Sequence, residues 1–275
     1  MSATPALRTI GRWISASPIW AFGLLWGLPL LYAVWSAVHP PAYSTEFALN
    51  APLTAANFVD SWNAAPFARY FLNTTFLVLF TVAFQIVFAT MAAFAFARLR
   101  FPGQNFLFAL LLLQLMISPS ILLVWNYREI SWLGLANTIP AMGIPYLGSA
   151  FGIFLLRQNF RTVPKELDDA ARLEGCSLPA RLWKVYIPLS RGTLIAFALT
   201  SISYHWNDFL WPLVVSDSVT TRPLTVGLEI FATPDQGVQW SLVTAATLMS
   251  SAPLLIAFLI FQRQFVQSFL RAGIR

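Results

Sequence analysis

The sequence predicts an all-α membrane protein with six transmembrane helices and one long polar loop that carries two short helices. Three observations predict it. Of the 275 residues, 57% are hydrophobic and only 10% are charged, with a mean hydropathy of +0.66; an ordinary soluble domain has about a quarter of its residues charged. The apolar residues gather into six runs near the roughly 20 residues that a helix needs to cross about 30 Å of hydrocarbon. Eight of the 28 charged residues (17 basic plus 11 acidic) lie in one segment, residues 165–189. The apolar runs are continuous rather than alternating, which excludes a β-barrel. No stretch remains for a soluble catalytic domain.

In chain order, residues 1–18 form a polar tail with Arg8 and Arg12, and the first span is expected over Ile19–Val38. Arg8, Arg12 and the apolar stretch after them also fit a signal peptide. The run exceeds a typical 7–15-residue apolar region, and Val38-His39-Pro40-Pro41 is a poor cleavage site, so a retained anchor is expected. Residues 39–69 contain Pro40, Pro41, Pro52 and Pro66 and are expected to be a Pro-rich connector. The second span, Tyr70–Ala97, carries Ala89, Ala93 and Ala97 on one face, a small-residue stripe that lets another helix approach closely. Arg98 to Gly103 make a short turn, with Pro102-Gly103 reversing the chain into a third span, Phe106–Tyr127. The fourth span, Ile139–Leu156, is the shortest and is punctuated by Pro145, Gly148 and Gly152. The fifth, Leu194–Val215, and the sixth, Leu242–Phe261, complete a six-helix membrane domain over residues 19–265, leaving a tail at 266–275.

A net charge of +6 would suit nucleic acid, but its distribution does not. With the 165–189 loop on one side, Arg8, Arg12, Arg98, Arg100, Arg157, Arg161, Lys165, Arg172, Arg181, Lys184, Arg191, Arg263, Arg271 and Arg275 share that side, and only Arg69, Arg128 and Arg222 fall on the other. The positive-inside rule makes the crowded side cytoplasmic and places both termini there. The single Cys176 lies on the same side and suits a reducing compartment.

Within the loop, Pro164 suits the first turn of a helix and Gly175 its left-handed end. Ser177 and Pro179 suit the start of a second helix, and Pro188 its stop. Leu167, Ala170, Ala171 and Glu174 share one face of the first helix by their three- and four-residue spacings. By composition alone the segment also fits an amphipathic helix on anionic membrane lipid.

The order Asp169-Ala170-Ala171, Gly175, then Ile187-Pro188 resembles the EAA loop of ATP-binding-cassette importer permeases. Residues 94–103 (FAFARLRFPG), 147–174, 203–215 (SYHWNDFLWPLVV) and 222–228 (RPLTVGL) are similar to the carbohydrate, maltose-type branch of those permeases. The resemblance implies a cytoplasmic two-helix coupling (EAA) loop that docks in a cleft of a separate ATPase, with Glu166, Asp169, Ala170, Ala171, Glu174, Gly175, Ile187 and Pro188 as the coupling residues. It also implies a second homologous permease, two ATPase copies and an extracytoplasmic solute-binding protein as partners, with sugar, polyol or a related solute as cargo. Asp169 departs from the family's usual Glu, and Glu174 from its common Asp. No GxxxxGK[ST] sequence occurs, so no cofactor is expected on this chain, and ATP and Mg would bind the partner ATPase.

Polar side chains within spans are costly and therefore candidates for function. They are Gln85, Gln114, Asn126 and Tyr127, and the dense set Tyr204, His205, Trp206, Asn207 and Asp208. Amide and carboxylate groups among aromatic faces suit sugar rings, yet Trp206 also fits an interfacial belt, and Asn207-Asp208 a helix break before Pro212. His205 has only Asp208 near it, which is too few ligands for a metal site. The outer loop 217–239 is expected to meet the binding protein through Thr220, Arg222 and Gln236. An ion-coupled secondary transporter, a membrane enzyme or a scaffold remain the alternatives, although repeats and coupling carboxylates are not evident.

Overall fold

The computed structural model describes residues 5–44, 46–48, 50–232 and 238–273, and among these all regular structure is helical. The helices are α1 (Pro5–Val38), α2 (Ala56–Ala64), α3 (Phe67–Arg98), α4 (Gln104–Leu113), α5 (Leu123–Trp132), α6 (Ile139–Gly143), α7 (Ala150–Thr162) and α8 (Lys165–Leu173). They continue as α9 (Leu178–Arg181), α10 (Ile187–Leu189), α11 (Arg191–Trp206), α12 (Leu210–Val215), α13 (Leu224–Gly227) and α14 (Trp240–Gly273). Contacts divide them into two units, residues 1–65 with 228–251, and residues 66–227 with 252–275.

In the first unit the connector is more ordered than its prolines suggested. Asn57 and Ser61, one turn apart on α2, are both buried. The Asn57 amide donates to the carbonyls of Ala37 (2.8 Å) and His39 (2.7 Å), and the Thr54 N–H donates to Val38 (2.8 Å). The end of α1, whose last carbonyls have no partner within the helix, is thereby capped. Ser61 Oγ donates to the Leu242 carbonyl (3.0 Å) at the start of α14.

The second unit is built around α3. Ala89 and Ala93 are fully buried beside Ile153, Leu156 and Phe160 of α7, so the small-residue stripe serves helix contact as expected. Gly152 is a further close approach: a Cβ there would overlap the Phe197 ring of α11. Gly152→Val is expected to force these helices apart at a cost of about 1–3 kcal/mol, the usual penalty of overpacking. A melting temperature of the detergent-solubilised protein equal to wild type would refute this.

Three of the expected spans are broken. Between Gln104–Met116 and Pro119–Trp132 the chain bends by 92°. Ser118 precedes Pro119 and takes the extended backbone that a pre-proline residue prefers, with ψ of 133°. Between Ile139–Tyr146 and Ala150–Thr162 the bend is 49°. In the fifth, α11 stops at Trp206 and α12 restarts at Leu210. Pro212 has no N–H to offer the Asp208 carbonyl four residues back, which takes the Thr225 hydroxyl instead (2.7 Å). Among the described residues two helices, α3 and Trp240–Gln262, are long and apolar enough to cross a membrane unbroken; Phe22–Val38 is apolar but shorter.

Candidate functional site

The 165–189 segment folds as two short helical arms around a tight turn. Pro164 occupies the N-cap of α8 rather than its first turn. Gly175 adopts φ of +77°. The Cys176 N–H bonds to the Ala171 carbonyl and the Gly175 N–H to that of Arg172, both 3.0 Å, which is the Schellman pair that closes a helix with a left-handed residue. Ser177 sits at the next N-cap, where its carbonyl accepts the Arg181 N–H (2.9 Å) and its side chain makes no capping bond. Pro188 does not end the second arm. A wide π-helical turn over Leu182–Tyr186 precedes it and absorbs the missing N–H, and the arm continues to Leu189 before an 82° bend at Ser190 into α11.

The inner face of the loop holds what the sequence did not mark. Asp168 and Arg181 form a buried two-pronged ion pair, Nε to Oδ1 at 2.9 Å and a second nitrogen to Oδ2 at 2.5 Å, which joins the two arms. Removing one member of such a pair costs about 3–5 kcal/mol, because the other charge is left buried and unmatched. Tyr186, fully buried, packs edge-on against Phe94 of α3 (5.0 Å) and Phe160 of α7 (5.4 Å). The Arg98 guanidinium lies 5.2 Å from the Tyr186 ring, and that of Arg181 5.9 Å from the Phe94 ring. Burial pushes the Tyr186 phenol up to about 12, against the opposing pull of Arg98.

Two further arginines tie helix ends together. Arg98 donates to the carbonyls of Phe160 (2.8 Å) and Val163 at the end of α7. Arg157 of α7 donates to the Phe96 carbonyl near the end of α3 (3.1 Å). Cationic side chains at helix C-termini satisfy open carbonyls and meet the negative end of the dipole. The loop therefore rests on a cross-braced base.

The outer face is open. Glu166, Asp169, Ala170, Glu174, Gly175 and Pro188 are exposed, and Ile187 is half-buried. Asp169 and Arg172 approach at 3.9 Å as a loose surface pair. Ala171 departs from expectation: it turns inward with Asp168, one helical turn away, and is only 7% exposed. Leu173 and Trp183 take its place as apolar surface, at 91% and 65% exposure.

The span residues fall into four groups. Gln85 and His205 meet each other: the Gln85 amide donates to the Tyr146 carbonyl (2.6 Å) and lies 3.1 Å from His205 Nε2, while Ser201 Oγ donates to Gln85 Oε1 (2.5 Å). This buried network joins α3, α11 and the Ile144–Tyr146 turn, and its members are occupied by one another. Trp206 packs edge-on against Phe71 (5.6 Å), and the exposed Asn207 amide closes α11 on the Ser203 carbonyl (2.7 Å). Tyr204 and Asp208 instead line a cavity of about 120 Å³ with Pro119, Ser120, Leu123, Tyr146, Leu210 and Trp211. That is room for a few water molecules at about 30 Å³ each. Gln114, at the 92° bend, and Tyr127 are exposed, and Asn126 is half-buried; none of these three lines the cavity. Among the described residues no cluster could hold a metal ion.

Thr220 and Arg222 lie on a braced loop. Their carbonyls accept the Asn73 amide (2.9 Å each), and that of Thr220 also accepts Arg69 (3.0 Å). Asn137, at φ of 59°, gathers the N–H groups of Asp217 and Ser218 and the hydroxyls of Ser218 and Thr221 on its Oδ1. The sequence signal that could have found it is an Asn in a turn, a type that tolerates left-handed backbone. Gln236 lies outside the described residues.

Among the described residues the chain is thus all-helical, with broken spans and a braced polar two-arm loop. The chain belongs to the family of binding-protein-dependent transport system inner membrane components, whose model matches residues 6–271. It is 32% identical over 256 residues to the arabinooligosaccharides transport system permease protein AraQ of Halalkalibacterium halodurans, covering 90% of each chain. It is 29% identical over 273 residues to the probable ABC transporter permease protein YurM of Bacillus subtilis, covering 96% of this chain and 90% of the relative. The sn-glycerol-3-phosphate transport system permease protein UgpE of Pectobacterium atrosepticum is 28% identical, with 87% and 90% covered. The fold matches a chain of a bacterial ABC transporter involved in import of the acidic polysaccharide alginate, with a TM-score of 0.82 at 22% identity over 96% of this chain and 99% of that one. The chain is thus the membrane component of an ATP-binding-cassette importer.

Proposed function

We propose that this chain is one of two unlike permease subunits that together form the path for a sugar, polyol or related solute. Its six spans lie in the cytoplasmic membrane with both termini cytoplasmic, the charge asymmetry of its loops being the support for that orientation. The loop of α8–α10 docks in a cleft of the ATPase, two copies of which bind ATP and Mg. The observation that carries this reading is the division of the loop into a braced inner face and an exposed outer side that presents the apolar Ala170, Leu173 and Trp183 among the charged Lys165, Glu166, Asp169, Arg172, Glu174 and Lys184. Exposed apolar side chains inside a charged rim are the usual composition of a docking surface. The relatives' names favour a carbohydrate or phosphorylated polyol as cargo.

On the other side of the membrane, the loop around Thr220 and Arg222 receives the solute-binding protein. Its bracing by Asn73, Arg69 and Asn137 supports a preformed contact surface, which spares the entropy of ordering a loop on binding. ATP binding and the docked, loaded binding protein must both favour the outward-open state for transport to be coupled. Tyr204 and Asp208 form part of the path. Single cysteines in a Cys176→Ala background test both surfaces. Leu173→Cys is expected to cross-link to the ATPase and Thr220→Cys to the binding protein; adducts with neither would refute the assignment.

A further inference from the structure

We infer that the Asp168–Arg181 ion pair is a positioning device that makes the two arms of the loop move as one body, with Tyr186 passing that motion to α3 and α7. The inference rests on the docking reading above and adds to it residues that are buried within this chain. The arms are joined covalently only through the turn at Gly175, where the Schellman bonds fix the end of α8 and reach no residue beyond Cys176. The ion pair closes the other side of the hinge. It uses two parallel contacts, at 2.9 and 2.5 Å, so it resists rotation as well as separation. Both side chains are buried, at 7% and 5% residue exposure for Asp168 and Arg181, so water does not compete for the contacts.

The second half of the device is the seat of the arm. Tyr186 lies five residues beyond Arg181 and is wedged between Phe94 and Phe160, with Arg98 above its ring. Arg98 also holds the Phe160 and Val163 carbonyls. A push on α8 therefore reaches α9 through the ion pair, and α3 and α7 through the aromatic wedge. A packed interface of this kind shifts between discrete arrangements rather than yielding gradually. With the pair broken, α8 could follow the ATPase while the second arm stayed behind.

The test uses the full transporter complex in proteoliposomes, with a reporter far from the loop. Ser120 lines the cavity, and Ser120→Cys in a Cys176→Ala background reports access by a membrane-impermeant maleimide. With the native pair, ATP and vanadate are expected to change the labelling rate about tenfold, within the usual range of coupling between sites. With Asp168→Asn added, the ATPase should still co-purify and the ATP-dependent change should disappear. Asp168→Glu, which keeps the charge pair, should restore at least half of it. An Asp168→Asn complex that responds to ATP as the native one does would overturn the inference. Failure of that variant to assemble at all would make the pair a folding element and would overturn it too. A native-pair complex that retains no ATPase would instead refute the docking reading itself, which keeps the two failures distinct.

Discussion

Ala170→Arg is expected to abolish retention of the ATPase subunit while the permease still inserts and folds. Ala170 is exposed on the free chain, so a long side chain there disturbs nothing within the protein, yet it would stand where the docked surface must come close. The loss should exceed about 30-fold, equivalent to the roughly 2 kcal/mol that separates an interface hot spot from its surroundings. Gly175→Val should act on the same contact by another route. A Cβ at Gly175 meets no atom within 4 Å, so the whole penalty is backbone strain at φ of +77°. A β-branched residue there costs about 1–2 kcal/mol or unwinds the Schellman turn. Co-purification of the ATPase with each variant is the measurement; full retention by both would show that this face is not the docking surface.

Asp208→Asn should lower uptake per assembled complex about tenfold, a loss of roughly 1.4 kcal/mol of differential binding, with complex yield near wild type. The substitution keeps the size and shape of the side chain and one of its oxygens, and removes only the charge that lines the cavity. Asn207→Ala should do the reverse, reducing yield and leaving uptake per complex unchanged, because its amide closes α11 on Ser203. Counting transport against assembled complex separates the two. Normal uptake per complex in Asp208→Asn would make Asp208 a helix cap and remove it from the path.

Most of the architecture was legible because the bilayer imposes a simple rule of length and hydropathy. Each expected span contains helix, and Gly175 closes α8 as its flexibility required. The breaks were less legible. Pro119, Pro145 and Pro212 are visible in the sequence, but a proline in a span can kink a helix or end it, and the surrounding hydrogen bonds decide which. Thr225 deciding the fate of the Asp208 carbonyl from 17 residues away is one such case.

The site divided along the same line. Surface residues at motif spacing, such as Asp169, Ala170 and Glu174, were found because spacing along one helix fixes a face. Asp168, Arg181 and Tyr186 were missed because their partners lie on different elements. The face assigned to Ala171 was wrong for that reason too: α8 uses Asp168 and Ala171 together to meet the second arm. His205 and Gln85 looked like candidates for cargo because each is polar within a span. The three-way fit with Ser201 that satisfies them has no trace in local sequence.

The 92° bend before Pro119 sets a boundary condition on the lipid. A helix carries its own peptide hydrogen bonds through hydrocarbon; at this bend the Ile117 N–H still reaches the Gln114 carbonyl (3.3 Å) and the Ser118 carbonyl takes the Ile121 N–H (3.0 Å), while the peptide group between Ile117 and Ser118 stands outside the ladder. Acyl chains offer no donor or acceptor, and each unanswered peptide group would cost several kcal/mol. In the proposed six-span arrangement fatty tails are therefore excluded from that peptide group, and only protein or water can border it. In that arrangement the bend is a seam, within an otherwise oil-compatible segment, that lipid alone cannot line.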